Sequence, residues 1–499
     1  MKKTTVNILI AVIVVVTAVV SFAAARIVTG SREKEIMQSE SISLSETIQT
    51  TVTTTVPATT APITVRQTVP TKAHTKVQTT VQKTTADSKS EFDFKIIDVL
   101  PLSLSSGAYD VRHCQGMAID IYKGYVYYSY TDTFVKCDLE GNVVGSVTGI
   151  KGHLGDICLN SDDGKIYASY NPSGKKALYI AIIDVDNLNK VGLDALKCGL
   201  IRTVHLKEVF KDFSATVKIK ETQFKRKYGV SGTDGVAFGP SFSTGKGNYL
   251  TVACGLAPQT NRSDNNYQIL LQYNIKSWWD EYSRPLSFTE FHHSGPDNHN
   301  GKFFVYTGNT NYGVQTMTYC KELNLWFLNV YPTTKNTFKK YNMYIVDGDV
   351  KPWKETLKGQ PTDDDEQYVL ALYQDGEYDK KTGIYGWYAS LGNKGMTYIS
   401  DGLFYIIHPF VTWYNRQTAV AYLYVWDPDD SDPFTIAAGI ENDYEIGGKK
   451  PYVPPPTTTK ATTTAAEKTT KKQKTTKKQT TTKKSEQAFN IEDIFSLFS

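Results

Sequence analysis

The sequence predicts an all-β fold built from repeated units, and two observations support this prediction. Residues 113–130 read HCQGMAIDIYKGYVYYSY and residues 153–170 read HLGDICLNSDDGKIYASY, so the chain repeats one pattern forty positions later. Each copy holds runs of β-branched and aromatic residues bounded by Gly, Asn, Asp or Pro, which is the composition of short strands joined by turns. A repeat of roughly 40–45 residues with several strands is typical of one blade of a β-propeller.

A short motif before the first strand extends the repeat to five copies. The copies begin with QGMAI at 115–119, GDICL at 155–159, DGVAF at 234–238, QTMTY at 315–319 and KGMTY at 394–398. We therefore predict a five-bladed propeller with insertions. The starts are 40, 79, 81 and 79 residues apart, and the longer spacings leave six to eight blades open.

Two further segments are assigned within this plan. Propellers commonly close their ring by completing one blade with strands from both chain ends. The spare strand FDFKIIDVLPL, at 92–102, is therefore expected beside the last blade, which holds AYLYVWDPD at 421–429. The insertion LKEVFKDFSATVKIKETQFKRKYG, at 206–229, is predicted to be helical.

Composition divides the chain into five segments. We predict a signal anchor or signal peptide at 1–30, a disordered Thr/Ser/Pro-rich stalk at 31–90, the propeller at 91–452, a disordered Thr/Lys-rich linker at 453–487 and a short amphipathic segment at 488–499. All 32 tyrosines fall within the predicted propeller. The linkers contain too little apolar surface to offset the entropy of ordering them.

The N-terminus predicts attachment to a membrane. Lys2 and Lys3 precede twenty largely apolar residues at 6–25, a length that can span a bilayer as a helix. We expect this anchor to stay in the cell membrane with the bulk of the chain outside the cell. The small residues up to Ala25 also fit a signal-peptidase site, and cleavage there would leave a secreted protein.

The charge is concentrated in the tail. Residues 457–486 hold nine Lys and two Glu, which gives this segment a formal charge of +7. The whole chain has a formal charge of +4, so the rest of the chain carries −3. A mildly acidic body argues against a nucleic-acid-binding fold, whereas a basic tail predicts contact with an anionic cell-wall polymer. The alternative is that the lysines only keep the tail soluble.

Four stretches carry a family resemblance. HCQGMAIDIYKGYVYYSY, YGVSGTDGVAFGP, SDNNYQILLQY and GKFFVYTGNTNYGVQTMTY resemble a family of uncharacterised bacterial exported β-propeller-like proteins, over roughly residues 110–440. The resemblance implies a propeller and export but no known catalytic residue. The chain is more distantly similar to NHL-repeat and gluconolactonase-like propellers, whose metal ligands match no positions here.

The repeats also predict a site. In a propeller the innermost strand of each blade lines a central channel, so polar residues just before these strands converge at one mouth. Thr233 and Lys394 take such positions. The predicted ligand-binding residues are His113, Gln115, His153, Asp156, Asp234, Asn311 and Gln315. The alternative is that these residues only hydrogen-bond the loops that close the ring.

The chemistry of this site is less determined. No catalytic residue is assigned, although Asp156 and Asp234 are candidates for a carboxylate pair of the glycosidase type. The six cysteines follow no disulfide or zinc spacing and are predicted to be free thiols. No cofactor or metal is expected, but the acidic runs at 362–366 and 427–433 leave calcium open, and three His at 292–300 leave another metal open.

These observations favour one function over two alternatives. We expect an exported, membrane-tethered propeller that binds a cell-surface glycan or protein at the channel mouth. The first alternative is a glycan-degrading hydrolase or lyase with its carboxylates in the same channel, and the second is a wall-associated structural protein. The sequence leaves open whether the protein is an enzyme.

Overall fold

The computed structural model describes residues 100–360, 366–389, 392–412, 414–428 and 433–437, which form a five-bladed β-propeller. Each blade is an antiparallel sheet whose innermost strand overlaps one of the five predicted motifs. The all-β class and the five blades are therefore confirmed. The predicted anchor, the stalk and the basic tail lie outside the described residues.

The first two blades follow the two adjacent copies of the repeat. Blade one consists of β2 (Cys114–Asp120), β3 (Tyr125–Tyr130), β4 (Thr133–Asp138) and β5 (Val143–Thr148). Blade two consists of β6 (Gly152–Leu159), β7 (Ile166–Pro172), β8 (Tyr179–Ile183) and β10 (Ile201–His205). In both blades each strand pairs with the next, so the chain runs outward from the axis.

The third and fourth blades repeat this order. Blade three consists of β13 (Val230–Gly239), β14 (Tyr249–Leu256), β15 (Tyr267–Tyr273) and β17 (Gly301–Tyr306). Blade four consists of β18 (Asn311–Cys320), β19 (Leu325–Tyr331) and β20 (Met343–Asp347). Isolated bridges from Leu372 and Trp387 extend β20, and a small hairpin of β23 (Glu377–Asp379) and β24 (Ile384–Gly386) lies between them in the chain.

The fifth blade closes the ring with strands from both ends of the domain. It consists of β25 (Met396–Tyr398), β26 (Leu403–Val411), β27 (Gln417–Trp426), β28 (Phe434–Ile436) and the N-terminal β1 (Ser103–Tyr109). β1 and β28 pair with different halves of β27. Closure beside the last blade by a strand that precedes the first repeat is confirmed. The pairing strand that the structure describes is Ser103–Tyr109, and residues 92–99 of the predicted strand at 92–102 lie outside the described residues. Pro101 has no amide hydrogen to donate to the ladder, so pairing starts after it.

Insertions cover the outer edges of neighbouring blades, which explains the long spacings between the later repeats. β9 (Leu193–Asp194) pairs with β5 of blade one, and β16 (Arg284–Pro285) pairs with β10 of blade two. The hairpin of β21 (Trp353–Thr356) and β22 (Glu366–Val369) extends β17 of blade three. Unpaired edge strands promote aggregation, so this extra chain protects edges and adds no sixth blade among the described residues.

The helix predicted at 206–229 is shorter than expected. α1 spans only Lys207–Ser214, and β11 (Thr216–Ile219) and β12 (Thr222–Lys225) follow it as a hairpin. The β-branched Thr216, Val217 and Ile219 favour a strand, and Lys220 takes a positive φ of 53° in the turn. Among the described residues, none of the helices is long and apolar enough to cross a membrane.

Five apolar clusters fill the five interfaces between neighbouring blades. The interface of blades two and three, for example, packs Ile180 and Tyr167 against Val236 and Val252. All six cysteines are free thiols, as predicted.

The glycine of the repeated motif is required by crowding near the axis. A Cβ on Gly116 would lie 2.7 Å from Oδ1 of Asp156, and a Cβ on Gly235 would lie 2.9 Å from Val314 Cγ1. Cβ atoms essentially never approach neighbours this closely. Inner strands of different blades therefore meet through the motif glycines.

Candidate functional site

The predicted site residues lie where the inner strands are irregular. β-Bulges interrupt the pairing of β2 at Gln115, of β6 at 155–156, of β13 at 234–235 and of β18 at Gln315. A bulge turns the side chains beside it out of the regular alternation of a strand. The repeated motif thus redirects polar side chains at the same level of four blades.

Side chains from all five blades meet at one channel mouth. Nε2 of His153 lies 3.8 Å from Oδ1 of Asp234, which joins blades two and three. The charge of Lys394, from blade five, acts on both His113 of blade one and His153. Lys394 also donates a hydrogen bond to the hydroxyl of Tyr331 in blade four. These five residues define the channel-mouth cluster.

Burial holds the pair of His153 and Asp234 in its uncharged form at neutral pH. Burial, together with the charges of His113, Lys175 and Lys394, lowers the pKa of His153 to about 4. Burial raises the pKa of Asp234 to about 8, although the charge of Lys175 opposes this rise. The side chain of His153 is 36% exposed, so water reaches it through the channel while the surrounding blades disfavour its charged form. The carboxylic acid can donate a hydrogen bond and the imidazole can accept one.

Blade four supplies an aromatic side to the mouth. Tyr312 is exposed and packs edge-to-face on Tyr331, with ring centroids 6.5 Å apart. Nδ2 of Asn311 donates to the carbonyl of Pro332, but its Oδ1 is buried without a hydrogen-bond partner. Nε2 of Gln315 is also buried and unpaired. Unpaired buried polar atoms are uncommon, and they are available for a ligand or an ordered water.

Asp156 lies near enough to Asp234 to sense its charge, but its carboxyl group is engaged in joining inner strands across the axis. Its buried Oδ2 accepts hydrogen bonds from the backbone amides of Val236 in blade three and Met317 in blade four, both at 3.0 Å. Burial raises the pKa of Asp156 well above its usual range, whereas the backbone amides of Val236, Met317 and Ile157 oppose that rise. The carboxyl group ties blade two to two other blades.

Two further polar residues are engaged within the sheets. Nε2 of the buried Gln115 donates to Oγ1 of Thr131 at 3.1 Å. The backbone amide of Thr233 donates to Oδ1 of Asn171, and Nδ2 of Asn171 donates back to the Thr233 carbonyl. The structure therefore brings together His113, His153, Asp234 and Lys394, with Asn311 beside them, and places Gln115, Asp156 and Thr233 in ties between strands.

Lys175, Tyr312 and Tyr331 also lie near this cluster, although the sequence did not predict them. Lys175 follows β7 and donates to the carbonyl of Ser231 at 2.6 Å, which brings its charge close to Asp234. Tyr331 ends β19, but the pairing registers place it level with Thr131 of blade one and Asn171 of blade two, so no tyrosine repeated at this position marked it in the sequence.

The described residues hold no group of three or more His, Cys, Asp or Glu side chains that could bind a metal ion. The acidic runs at 362–366 and 427–433 lie largely outside the described residues, so calcium binding there stays a hypothesis. The histidines of the 292–300 loop do not converge on one point. His292 contacts Thr203 and His293 contacts His205, whereas His299 faces a separate cavity.

The buried His205 makes the stability of blade two depend on pH. Its Nδ1 lies 3.1 Å from the Leu178 carbonyl and its Nε2 lies 3.3 Å from Nδ1 of His293. Burial, with a contribution from His293, lowers the pKa of His205 from 6.5 to about 4. Below pH 6.5 the unfolded chain therefore binds a proton that the folded chain excludes, so this stabilising contribution is complete above pH 6.5 and is lost as the pH falls.

We expect the free energy of unfolding to fall by about 2 kcal/mol as the pH is lowered from 6.5 to 5, because of His205. Urea denaturation of the wild type and of His205→Gln across this range measures the effect, because other titrating groups contribute equally to both proteins. The difference in the free energy of unfolding between the wild type and His205→Gln should become smaller toward pH 5. Parallel profiles would contradict the prediction.

No protein-family model and no curated protein matches the sequence. A protein of unknown function from Bacteroides caccae is similar in structure, with 10% identity and a TM-score of 0.25 over 52% of this chain and 87% of that one. The Dos1 propeller is similar with 10% identity and a TM-score of 0.26 over 65% of this chain and 73% of that one. Hydrazine synthase from Kuenenia stuttgartiensis is similar with 13% identity and a TM-score of 0.28 over 61% of this chain and 82% of that one. An uncharacterised protein and a propeller are thus among the similar structures, and at these identities they say nothing about function.

Proposed function

We propose that this protein is an exported, membrane-tethered binding module whose ligand, a cell-surface glycan or protein, sits at the channel mouth. The observation that carries the proposal is the meeting of polar side chains from all five blades at this mouth. Tyr312 supplies an exposed aromatic ring that packs on Tyr331, and Asn311 and Gln315 of the same strand each carry an unpaired amide atom. Binding sites combine such apolar and directed polar groups.

The carboxylates favour binding over glycan hydrolysis. A glycosidase of the two-carboxylate type needs a second acid roughly 5–9.5 Å from the first, with both free to act on the substrate. Asp234 is the carboxyl group of the channel-mouth cluster, whereas Asp156 already accepts backbone hydrogen bonds from two other blades. The candidate pair therefore offers only one available acid.

The remaining parts of the proposal rest on the sequence. Residues 6–25 would hold the chain in the cell membrane, and residues 31–90 would carry the propeller away from it. The nine lysines at 457–486 would bind an anionic wall polymer through exposed charges, an attraction that salt screens. The propeller would then reach ligands at or beyond the cell surface.

We expect Tyr312→Asn and Asp234→Asn each to weaken ligand binding about tenfold or more, as truncation of central contacts does. Asn tolerates the φ of 65° at position 312, so the first variant removes the ring and keeps the backbone. The full chain would be screened on glycan and surface-protein arrays, and hits would be measured by calorimetry. Tyr122→Ala, at the far end of β2, is the matched control because its ring is also exposed.

Two results would contradict this proposal. One is binding of every hit with unchanged affinity by both mouth variants. The other is turnover of a bound glycan by the wild type that Asp234→Asn abolishes, which would favour the hydrolase alternative. Loss of affinity in Tyr122→Ala would place the ligand on the opposite face.

A further inference from the structure

A cavity lies on the rim of blade three, built by residues outside the channel-mouth cluster. Its volume is about 490 Å³, within the range of roughly 300–1,000 Å³ that is typical of small-molecule sites. Its walls come from α1, from the turn before β13, from the start of β17 and from β22. Segments up to 160 positions apart therefore form this rim cavity, which the repeat pattern does not include.

One wall of the rim cavity is a network of compensated charges. Nζ of Lys302 lies 2.6 Å from Oδ2 of Asp212 and 2.9 Å from Oε1 of Glu208, and Lys211 contacts the other oxygen of Glu208. The ammonium group of Lys302 is thus shared by two carboxylates. The wall offers several hydrogen-bond donors and acceptors in fixed positions. Lys227 also lines the cavity, so three lysines face two carboxylates and the formal charge of the lining is only +1.

The lining also includes an aromatic ring and an unpaired nitrogen. Tyr368, on β22, is 47% exposed at the cavity edge. Nδ1 of His299 is buried and has no hydrogen-bond partner. Burial lowers the pKa of His299, so the imidazole is neutral at physiological pH and adds one donor and one acceptor to the lining.

The floor of the cavity is held in an uncommon backbone conformation. Tyr228 and Arg226 have φ angles of 55° and 72°, which side-chain-bearing residues seldom adopt. Nη2 of the buried Arg262 donates to the Arg226 carbonyl, and Oδ2 of Asp264 accepts the Tyr228 amide. Strained backbone that its surroundings hold in place is often found at ligand sites.

We propose that the rim cavity binds a neutral sugar ring. Asp212, Glu208, Lys302 and His299 would hydrogen-bond the hydroxyl groups, which both donate and accept, and Tyr368 would pack on an apolar face of the ring. A neutral ligand fits because Lys302 already shares its charge with two carboxylates. This site is independent of the ligand proposed at the channel mouth.

Saturation-transfer NMR on the full chain tests this inference with methyl glycosides of glucose, galactose, mannose and N-acetylglucosamine. We expect at least one neutral glycoside to receive saturation and Tyr368→Ala to weaken its binding about tenfold. Tyr378→Ala is the matched control, because that ring is 43% exposed on β23, away from the cavity. Equal thermal melting of the two variants would show that the loss is local.

Further variants and ligands distinguish sugar binding in the rim cavity from binding at the channel mouth and from anion binding. Signals that persist in the mouth variant Tyr312→Asn and disappear in Tyr368→Ala support the rim cavity, whatever the outcome at the mouth. The inference is overturned if no neutral glycoside receives saturation, if Tyr368→Ala binds as the wild type does, or if inorganic phosphate or glucuronate binds there in place of the neutral sugars.

Discussion

Replacing Asp156 by alanine is expected to lower the free energy of unfolding by roughly 3–5 kcal/mol, because each buried donor left without an acceptor costs about 1–3 kcal/mol. The variant removes the acceptor of the Val236 and Met317 amides, which lie near the axis in two different blades. It also leaves a void between the crowded inner strands. Urea denaturation followed by tryptophan fluorescence measures the change.

Two variants control for this effect. Asp156→Asn keeps one carbonyl oxygen of the same shape, so it should destabilise less than alanine. Asp234→Asn changes the other candidate carboxyl group, and it should leave stability nearly unchanged because Asp234 is already uncharged at neutral pH. If Asp156→Ala folded as stably as the wild type and instead lost an activity, Asp156 would be a catalytic candidate again.

Arg262→Met is expected to destabilise the protein by roughly 3–5 kcal/mol, the range for breaking a buried ion pair by removing one partner. Nε and Nη2 of Arg262 donate to the two oxygens of Asp264 at 2.6 and 2.8 Å, and both side chains are almost completely buried. The variant leaves the Asp264 charge in the interior. It also releases the turn at Tyr228, so sugar binding in the rim cavity should fall with stability.

Lys123→Met is the matched control, because it breaks the exposed ion pair with Asp186 at 2.6 Å. Exposed pairs contribute only about 0–1 kcal/mol, so this change should be small. The double variant Arg262→Met/Asp264→Leu should recover part of the lost stability by removing the isolated charge. Equal costs for Arg262→Met and Lys123→Met would show that the buried pair is not needed.

The rim of the molecule was largely beyond prediction. The helical interpretation of 206–229 held only for Lys207–Ser214, because Thr216, Val217 and Ile219 could pair as a strand with the following segment. The rim cavity depends on α1, β17 and β22 lying side by side. No local sequence pattern predicts this arrangement, since β22 follows β20 of blade four in the chain but pairs with β17 of blade three.

The sequence by itself determined the fold class and the inner strand of each blade, and it predicted five blades while leaving six to eight open. The inner strands could be found because three of the five motifs place a glycine at the same position, Gly116, Gly235 and Gly395, where the strands crowd near the axis, whereas Asp156 and Thr316 take that position in the other two. Only the tertiary structure separated Asp156 from Asp234, although both stand in equivalent bulges. Backbone amides of two other blades donate hydrogen bonds to the carboxyl group of Asp156, whereas the carboxyl group of Asp234 lies beside His153 at the channel mouth. The surroundings of a side chain at the axis are set by all five blades together, and one repeat cannot specify them.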